Sequence, residues 1–229
     1  MKKAFLILTL LSVSFSGYSQ KGDNKFHFGI KAQPALAWLK IDAPSGTDLK
    51  SDGLPFGFGY GLITDFGFAD HYAFSTGLEV VYRGGKTLQN LPNKVGQDSV
   101  TIANKYSLQF VEIPITLKLR TNEIGYMTYF FQVGFAPGYA IRTKADITTN
   151  NNGVTSTKTR VDVSDDINEF NMSMIIAAGA EYNISGNTSL LFGLTFNNGF
   201  LDLLDDTQYG GKKVKGTSNF LSLTAGIMF

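Results

Sequence analysis

Apolar residues fall on every second position in eight separate stretches of this chain. The first sets Phe26, Phe28, Ile30, Ala32, Leu36 and Trp38 on one face and His27, Gly29, Lys31 and Gln33 on the other. The second sets Phe56, Phe58, Tyr60, Leu62, Phe66 and Phe68 against Gly57, Gly59, Gly61, Asp65 and Gly67. Tyr72, Phe74, Leu78, Val80 and Tyr82 then oppose Ser75, Gly77, Glu79 and Arg83, and Val111, Ile113, Ile115, Leu117 and Leu119 oppose Glu112, Thr116 and Lys118. Tyr129, Phe131, Val133, Phe135 and Tyr139 face away from Gln132, Gly134, Gly138 and Arg142. Phe170, Met172, Met174, Ile176, Ala178 and Tyr182 do the same against Asn171, Ser173, Gly179 and Glu181. Leu190, Phe192, Leu194 and Phe196 alternate with Gly193, Thr195 and Asn197, and the last run is Leu221, Leu223, Ala225, Ile227 and Phe229. A period of two marks β-strands whose two faces meet different surroundings.

The connections alternate in length. Residues 40–54, 84–104, 143–167 and 203–217 are long and polar, whereas 69–71, 121–126 and 184–187 are short. The aromatics gather at the ends of the runs, with aliphatic residues between them. Long loops on one side, short turns on the other and two aromatic girdles are the pattern of an outer-membrane barrel. The pattern predicts an all-β, eight-stranded antiparallel up-and-down transmembrane β-barrel, with termini and short turns periplasmic and the long loops outside. A lumen of eight strands is just filled by side chains. The inward set holds Lys31, Asp65, Glu79, Arg83, Glu112, Lys118, Arg142 and Glu181, so a plugged lumen of paired charges is expected.

Composition narrows this further. Met1-Lys2-Lys3, an apolar run from Ala4 to Phe15, and small residues at Gly17 and Ser19 read as a secretory signal over 1–19, leaving one barrel domain over 20–229. Without the signal, Lys+Arg fall from 20 to 18 against 19 Asp+Glu, a net charge near −1 and no footprint for nucleic acid. There is no cysteine, which excludes disulfides, cysteine metal sites and a lipoprotein anchor. No cofactor or metal is expected. Asp162, Asp165 and Asp166 lack the glycine and terminal glutamate of a calcium loop. His27 and His71 are the two histidines, and the topology puts both at the periplasmic end, away from where an acyl-modifying site needs one.

Three local features add detail. The stretch ITTNNNGVTSTKTRVDV suggests a hairpin that carries strands five and six above the membrane, the first choice for contact with a partner. Asp205 and Asp206 with Lys212, Lys213 and Lys215 make the fourth long loop electrically mixed; a solvated loop is the default reading, and contact with lipopolysaccharide or a partner the alternative. Pro34 and Pro114 lie inside predicted strands, where proline marks a bulge or a break.

The stretch QFVEIPITLKLR, Gln109 to Arg120, resembles a strand of the PorT-like outer-membrane β-barrel family of the Bacteroidota, with Glu112, Ile113 and Pro114 matching and Thr116 and Leu119 departing. YFFQVGFAPGYAI (129–141) and NMSMIIAAGAEYNI (171–184) are similar to two further strands of that family, the latter through Gly179, Glu181 and Tyr182. The resemblance implies an eight-stranded barrel in the outer membrane, and the founding member supports type IX protein secretion. The run Leu221, Leu223, Ala225, Ile227 and terminal Phe229 resembles the signal read by the barrel-assembly machinery. The expected function is a non-enzymatic barrel that displays its loops for binding or envelope anchoring, in contact with outer-membrane lipid. An accessory role in type IX secretion is the alternative, and an outer-membrane lipid-modifying enzyme the second alternative.

Overall fold

A computed structural model describes residues 26–44, 48–91, 100–151, 153–204, 208–209 and 212–229. The signal segment, the boundary at Gln20, and Asp205 and Asp206 lie outside the described residues. Eight long strands follow one another: β1 (Phe26–Asp42), β2 (Phe56–Ala69), β3 (Tyr72–Leu91), β4 (Val100–Glu112, resuming as Ile115–Arg120), β5 (Met127–Asn151), β6 (Phe170–Ser185), β7 (Thr188–Gly199) and β8 (Lys215–Met228). Each pairs antiparallel with the next, and β8 returns to pair with β1 from Gly29–Met228 to Asp42–Lys215. The result is a closed eight-stranded barrel. Past the last ladder pair, the Phe28 N–H donates to Phe229 O at 3.1 Å and the Phe229 N–H to Phe28 O at 2.7 Å.

The face that the sequence marks as apolar points outward. Phe28, Ile30, Leu62, Leu78, Phe131, Phe192 and Leu223 are exposed, Leu223 at 63%, whereas the alternate residues are buried inside. This inverts a soluble domain and suits a surrounding of lipid. Rings meet between neighbouring strands at both ends of the band: Phe26–Phe66 at 5.1 Å and Phe28–Phe229 at 5.5 Å near the short turns, Trp38–Phe196 at 6.1 Å and Tyr60–Tyr82 at 6.3 Å near the long loops. At roughly 3.3 Å per residue and a tilt near 40°, the stretch from Phe28 to Trp38 rises about 25 Å, the height of an outer-membrane apolar band.

The two prolines act differently. At Pro114 strand β4 breaks, yet the Ile113 N–H still donates to Pro137 O at 3.0 Å, and Glu112 and Thr116 remain on the lumen side. At Pro34 the register does not shift. Pairing with β8 lapses between Ala32–Ala225 and Ala35–Ser222, where proline has no N–H to give.

Most of residues 84–104, expected as a loop, is strand. β3 and β4 stay paired from Gly84–Ser107 to Leu91–Val100, and β4 and β5 to Val100–Asn151. The expected hairpin is present, with Gly153 at φ +81° accepted by the turn and its N–H donated to Asn150 Oδ1 at 3.1 Å. Its return strand, Val154–Asp162, pairs with β5 alone and ends at a 3-10 turn, Ser164–Asp166, so it is separate from β6. With Leu49–Ser51 on the far edge of β3, these strands form a fin above one side of the barrel. Inside its base sits an apolar core of Leu39, Leu108, Phe110, Ile167, Leu203 and Val214.

A closed barrel resists detergent until it is heated. The unboiled protein is expected to migrate differently from the boiled protein on a denaturing gel. Deleting Phe229 removes the final closure bonds and one girdle ring, so it is expected to lower the assembled yield far more than deleting Asn151 at the hairpin tip; equal yields count against this role for Phe229.

Candidate functional site

Among the described residues the lumen is the one place that gathers ionised groups away from water, and strand parity puts them there. Nearest the short turns, Lys118 donates to Asp65 at 2.6 Å and also pairs with Glu181. Arg120 pairs with the same Asp65 and lies 3.6 Å from Glu181. The Lys118 and Asp65 side chains are wholly buried. Lys118 Nζ also stands 4.7 Å from the centre of the Phe130 ring, a cation–π contact. That ring lies across the barrel floor against Gly179, where a Cβ would come within 2.6 Å of its edge.

One layer up, Lys31 reaches Glu79 at 2.6 Å. They sit on either side of Gly61 in one cross-strand row, Lys31–Gly61–Glu79, so the missing side chain leaves the path open. Gln33 donates to Glu79 at 3.4 Å. The same row continues to Glu112, directly opposite Glu79. Two carboxylates facing each other repel, and here each has its own cation: Lys31 for Glu79 and Arg83 for Glu112. The Arg83 guanidinium is held between Phe110 and Phe220, 4.8 and 4.7 Å from their ring centres. Above it begins the apolar core at the base of the fin.

Four cations and four carboxylates thus meet across the lumen in three layers, and charge is balanced. Buried charges cost several kcal/mol each in lost hydration, which is offset only when both signs meet in good geometry. A small cavity of mixed lining lies beside the middle layer, with Lys31, Gln33, Glu79 and Asn197 on its polar side and Ile63 and Ile175 on its apolar side. Asn171, Ser173, Asn197 and Ser218 bury polar atoms without a protein partner. Groups of that kind are served by ordered water in a polar interior. The arrangement can hold water and fix strands together.

Of the eight charges expected inside, seven are there, and Arg142 is not. Gln109 pairs with Arg142 but Phe110 with Ala140, so Ile141 is an extra residue on β5. This bulge inverts the parity, and Ile141 and Arg142 both face out. Arg120 takes a place inside that the sequence reading did not give it. Its signal was present: it shares the parity of Glu112, Thr116 and Lys118. His27 lines the lumen mouth at the short-turn end with Arg120, Glu123 and Glu181, and His71 sits in the tight β2–β3 turn. Among the described residues no group of three His, Asp or Glu side chains is placed to hold a metal.

At the base of the hairpin, Lys144 donates to Asp162 at 2.9 Å and Ser164 donates twice, from its N–H at 3.1 Å and its hydroxyl at 2.9 Å. The Lys144 hydrogen bond, then those from Ser164, hold the Asp162 carboxyl down at about 2.

A family model described as "Outer membrane protein beta-barrel domain" matches residues 11–205. No curated protein sequence matches this chain. Among solved structures, it is similar to Neisserial surface protein A, with TM-score 0.45 and 12% identity over 91% of this chain and 98% of that one. It is similar to the attachment invasion locus protein Ail of Yersinia pestis, at 0.40 and 17% over 90% and 100%. It is also similar to OprG from Pseudomonas aeruginosa, at 0.42 and 12% over 89% and 95%.

Two outcomes follow from the charges. Lys118→Met leaves the Asp65 and Glu181 carboxylates to share Arg120 alone and is expected to cost about 3–5 kcal/mol in denaturant unfolding of the reconstituted barrel. The double change Lys118→Met with Glu181→Gln leaves Arg120 paired one to one with Asp65 and is expected to recover much of that loss; no recovery contradicts the pairing. For Asp162, a folded carboxyl below its free value of about 3.9 contributes stability above that value and loses it as pH falls through about 2. Asp162→Asn is therefore expected to reduce amide protection in the hairpin at neutral pH, and the difference from wild type is expected to vanish below about 2. A difference that persists there points to a cause other than charge.

Proposed function

The chain belongs to the outer membrane protein beta-barrel domain family, and from that premise we propose that it is a non-enzymatic, sealed barrel of the outer membrane that presents its fin and loops at the cell surface. In this reading the termini and short turns face the periplasm and residues 1–19 are removed on export. The run Leu221, Leu223, Ala225, Ile227 and Phe229 serves the barrel-assembly machinery, and the partners are outer-membrane lipid and envelope proteins met through the loops.

The observation that carries the reading is the contrast between the two ends of the lumen. Ionised side chains pair across the inside from Asp65 up to Arg83, and the apolar core at the base of the fin closes the space above them. A transport pore needs that space open. The loop side instead spends its residues on a sheet that stands out from the barrel, with Val154–Asp162 exposed along nearly its whole length. A lipid-modifying site near the long loops finds no histidine there, because His27 and His71 both lie at the other end. Membership of the PorT-like group, and with it an accessory part in type IX secretion, rests on the likeness of Gln109 to Arg120, 129–141 and 171–184.

Reconstituted into planar bilayers, the protein is expected to show no steady large conductance, and porin-like channels overturn the sealed lumen. Trypsin added to intact cells is expected to cut after Lys158 or Arg160 in the hairpin. Cutting that needs a broken outer membrane reverses the orientation. Deletion followed by a comparison of secreted and surface proteins separates a display role from a secretion role.

A further inference from the structure

A basic cluster stands on the outer surface where β3, β4 and β5 rise past the aromatic level. The register sets Tyr82, Gln109 and Arg142 in one row, Gly84, Ser107 and Lys144 in the next, and Lys86, Lys105 and Asp146 in the row above. Ser107, Lys105 and Arg142 are exposed, and Lys86 and Lys144 half-buried. The middle row is low, because Gly84 has no side chain and Ser107 a short one. Ammonium groups stand on the loop side of it, a guanidinium stands on the membrane side, and Lys144 flanks it.

Two features argue that this is a built site. Arg142 reaches this face only because Ile141 is bulged out; without that extra residue its parity would turn it into the lumen. Bulges re-aim side chains in this way. Lys86 and Lys105 are also directly opposite each other across the β3–β4 ladder, where like charges repel, with Asp146 on the other side of Lys105. Among the described residues neither lysine forms an ion pair. Two acids stand in the lysine row, Asp146 beside Lys105 and Asp52 beside Lys86 on the far edge of β3, and neither forms an ion pair with its lysine. Asp162 is taken by Lys144 and Ser164, and Asp146 Oδ1 accepts the Arg160 N–H at 2.8 Å. Asp52 donates its own N–H to Lys86 O at 2.8 Å, on the edge of β3 away from Ser107.

We propose that this face binds a phosphate group of a lipid headgroup in the leaflet on the long-loop side. A phosphate accepts from an arginine fork, lysine ammonium groups and a hydroxyl at once, which is the donor set present here. Height selects the occupant. The site lies one row above Tyr82, whose hydroxyl accepts from Gln109 at 3.1 Å, and interfacial tyrosines sit at headgroup level. The inference rests on the reading of the chain as an outer-membrane barrel with its long loops outside, where the matching lipid is the phosphorylated lipid A of lipopolysaccharide.

The test is native mass spectrometry of the folded full chain released from micelles doped with lipid A. Wild type is expected to retain one molecule of lipid A. Lys105→Gln with Arg142→Gln is expected to weaken retention about tenfold or more, since each change removes charge-assisted hydrogen bonds. Lys50→Gln, which alters an exposed lysine paired with Asp48, is expected to leave it unchanged. Equal retention by wild type and the double variant overturns the proposal, as does equal retention of lipid A stripped of its phosphates. Displacement of lipid A by an equal concentration of inorganic phosphate overturns the lipid assignment. The unboiled gel mobility is read on every sample. A folded barrel that retains no lipid A overturns this site alone, whereas a chain that shows no heat-dependent shift overturns the barrel reading beneath it.

Discussion

Every backbone N–H and C=O in a lipid-facing strand has to find a partner within the protein, because hydrocarbon offers none. The rest of this structure depends on that constraint. An open sheet of these eight strands would leave β1 and β8 with bare edges in the bilayer. Pairing Gly29 with Met228 and onward to Asp42 with Lys215 removes both edges at once. The ring then fixes which residues face lipid and which face each other across a narrow centre.

Closure creates the second problem, which the lumen solves. Strands tilted into a small ring bring side chains of opposite walls within reach, and water is scarce between them. Glycine opens the paths that charges take, as Gly61 does between Lys31 and Glu79. Aromatic rings do the rest, with Phe110 and Phe220 holding the Arg83 guanidinium and Phe130 lying under Lys118. Above the membrane the same tube fills with Leu39, Leu108 and Val214. The charged pairs of the interior therefore lie at bilayer depth among smaller apolar clusters, and an extended apolar core lies nearer the loops.

Much of this was legible in the alternation of residues. Phe28, Leu62, Leu117 and Leu223 face lipid where parity put them, because lipid enforces one kind of side chain on one face. Legibility failed where that enforcement stops. Above the girdle both faces of β3 and β4 carry polar residues, such as Lys86 and Gln89 or Asn104 and Lys105, so strand looked like loop. At Ile141 one extra residue inverted the parity of β5 and carried Arg142 outside, and nothing in composition announces a bulge. Arg120 was readable, since it lies two residues beyond Lys118 on the same face. The pairing of particular charges was not readable, because it depends on which strands meet and at what register.

The seam between β1 and β8 also has a history. All the other long ladders join strands that are neighbours in sequence, whereas this one joins Phe28 to Phe229. Contacts between distant parts of a chain are slow to form, and the cost of bringing the ends together grows with the length between them. The seam is thus the last ladder to zip, and it holds a gap in its own bonding beside Pro34. Until it shuts, two half-finished edges face the bilayer side by side. The time the chain spends in that state is set by how fast its final strand arrives, which makes the speed of the last step, rather than the strength of the finished wall, the chain's exposure to mispairing.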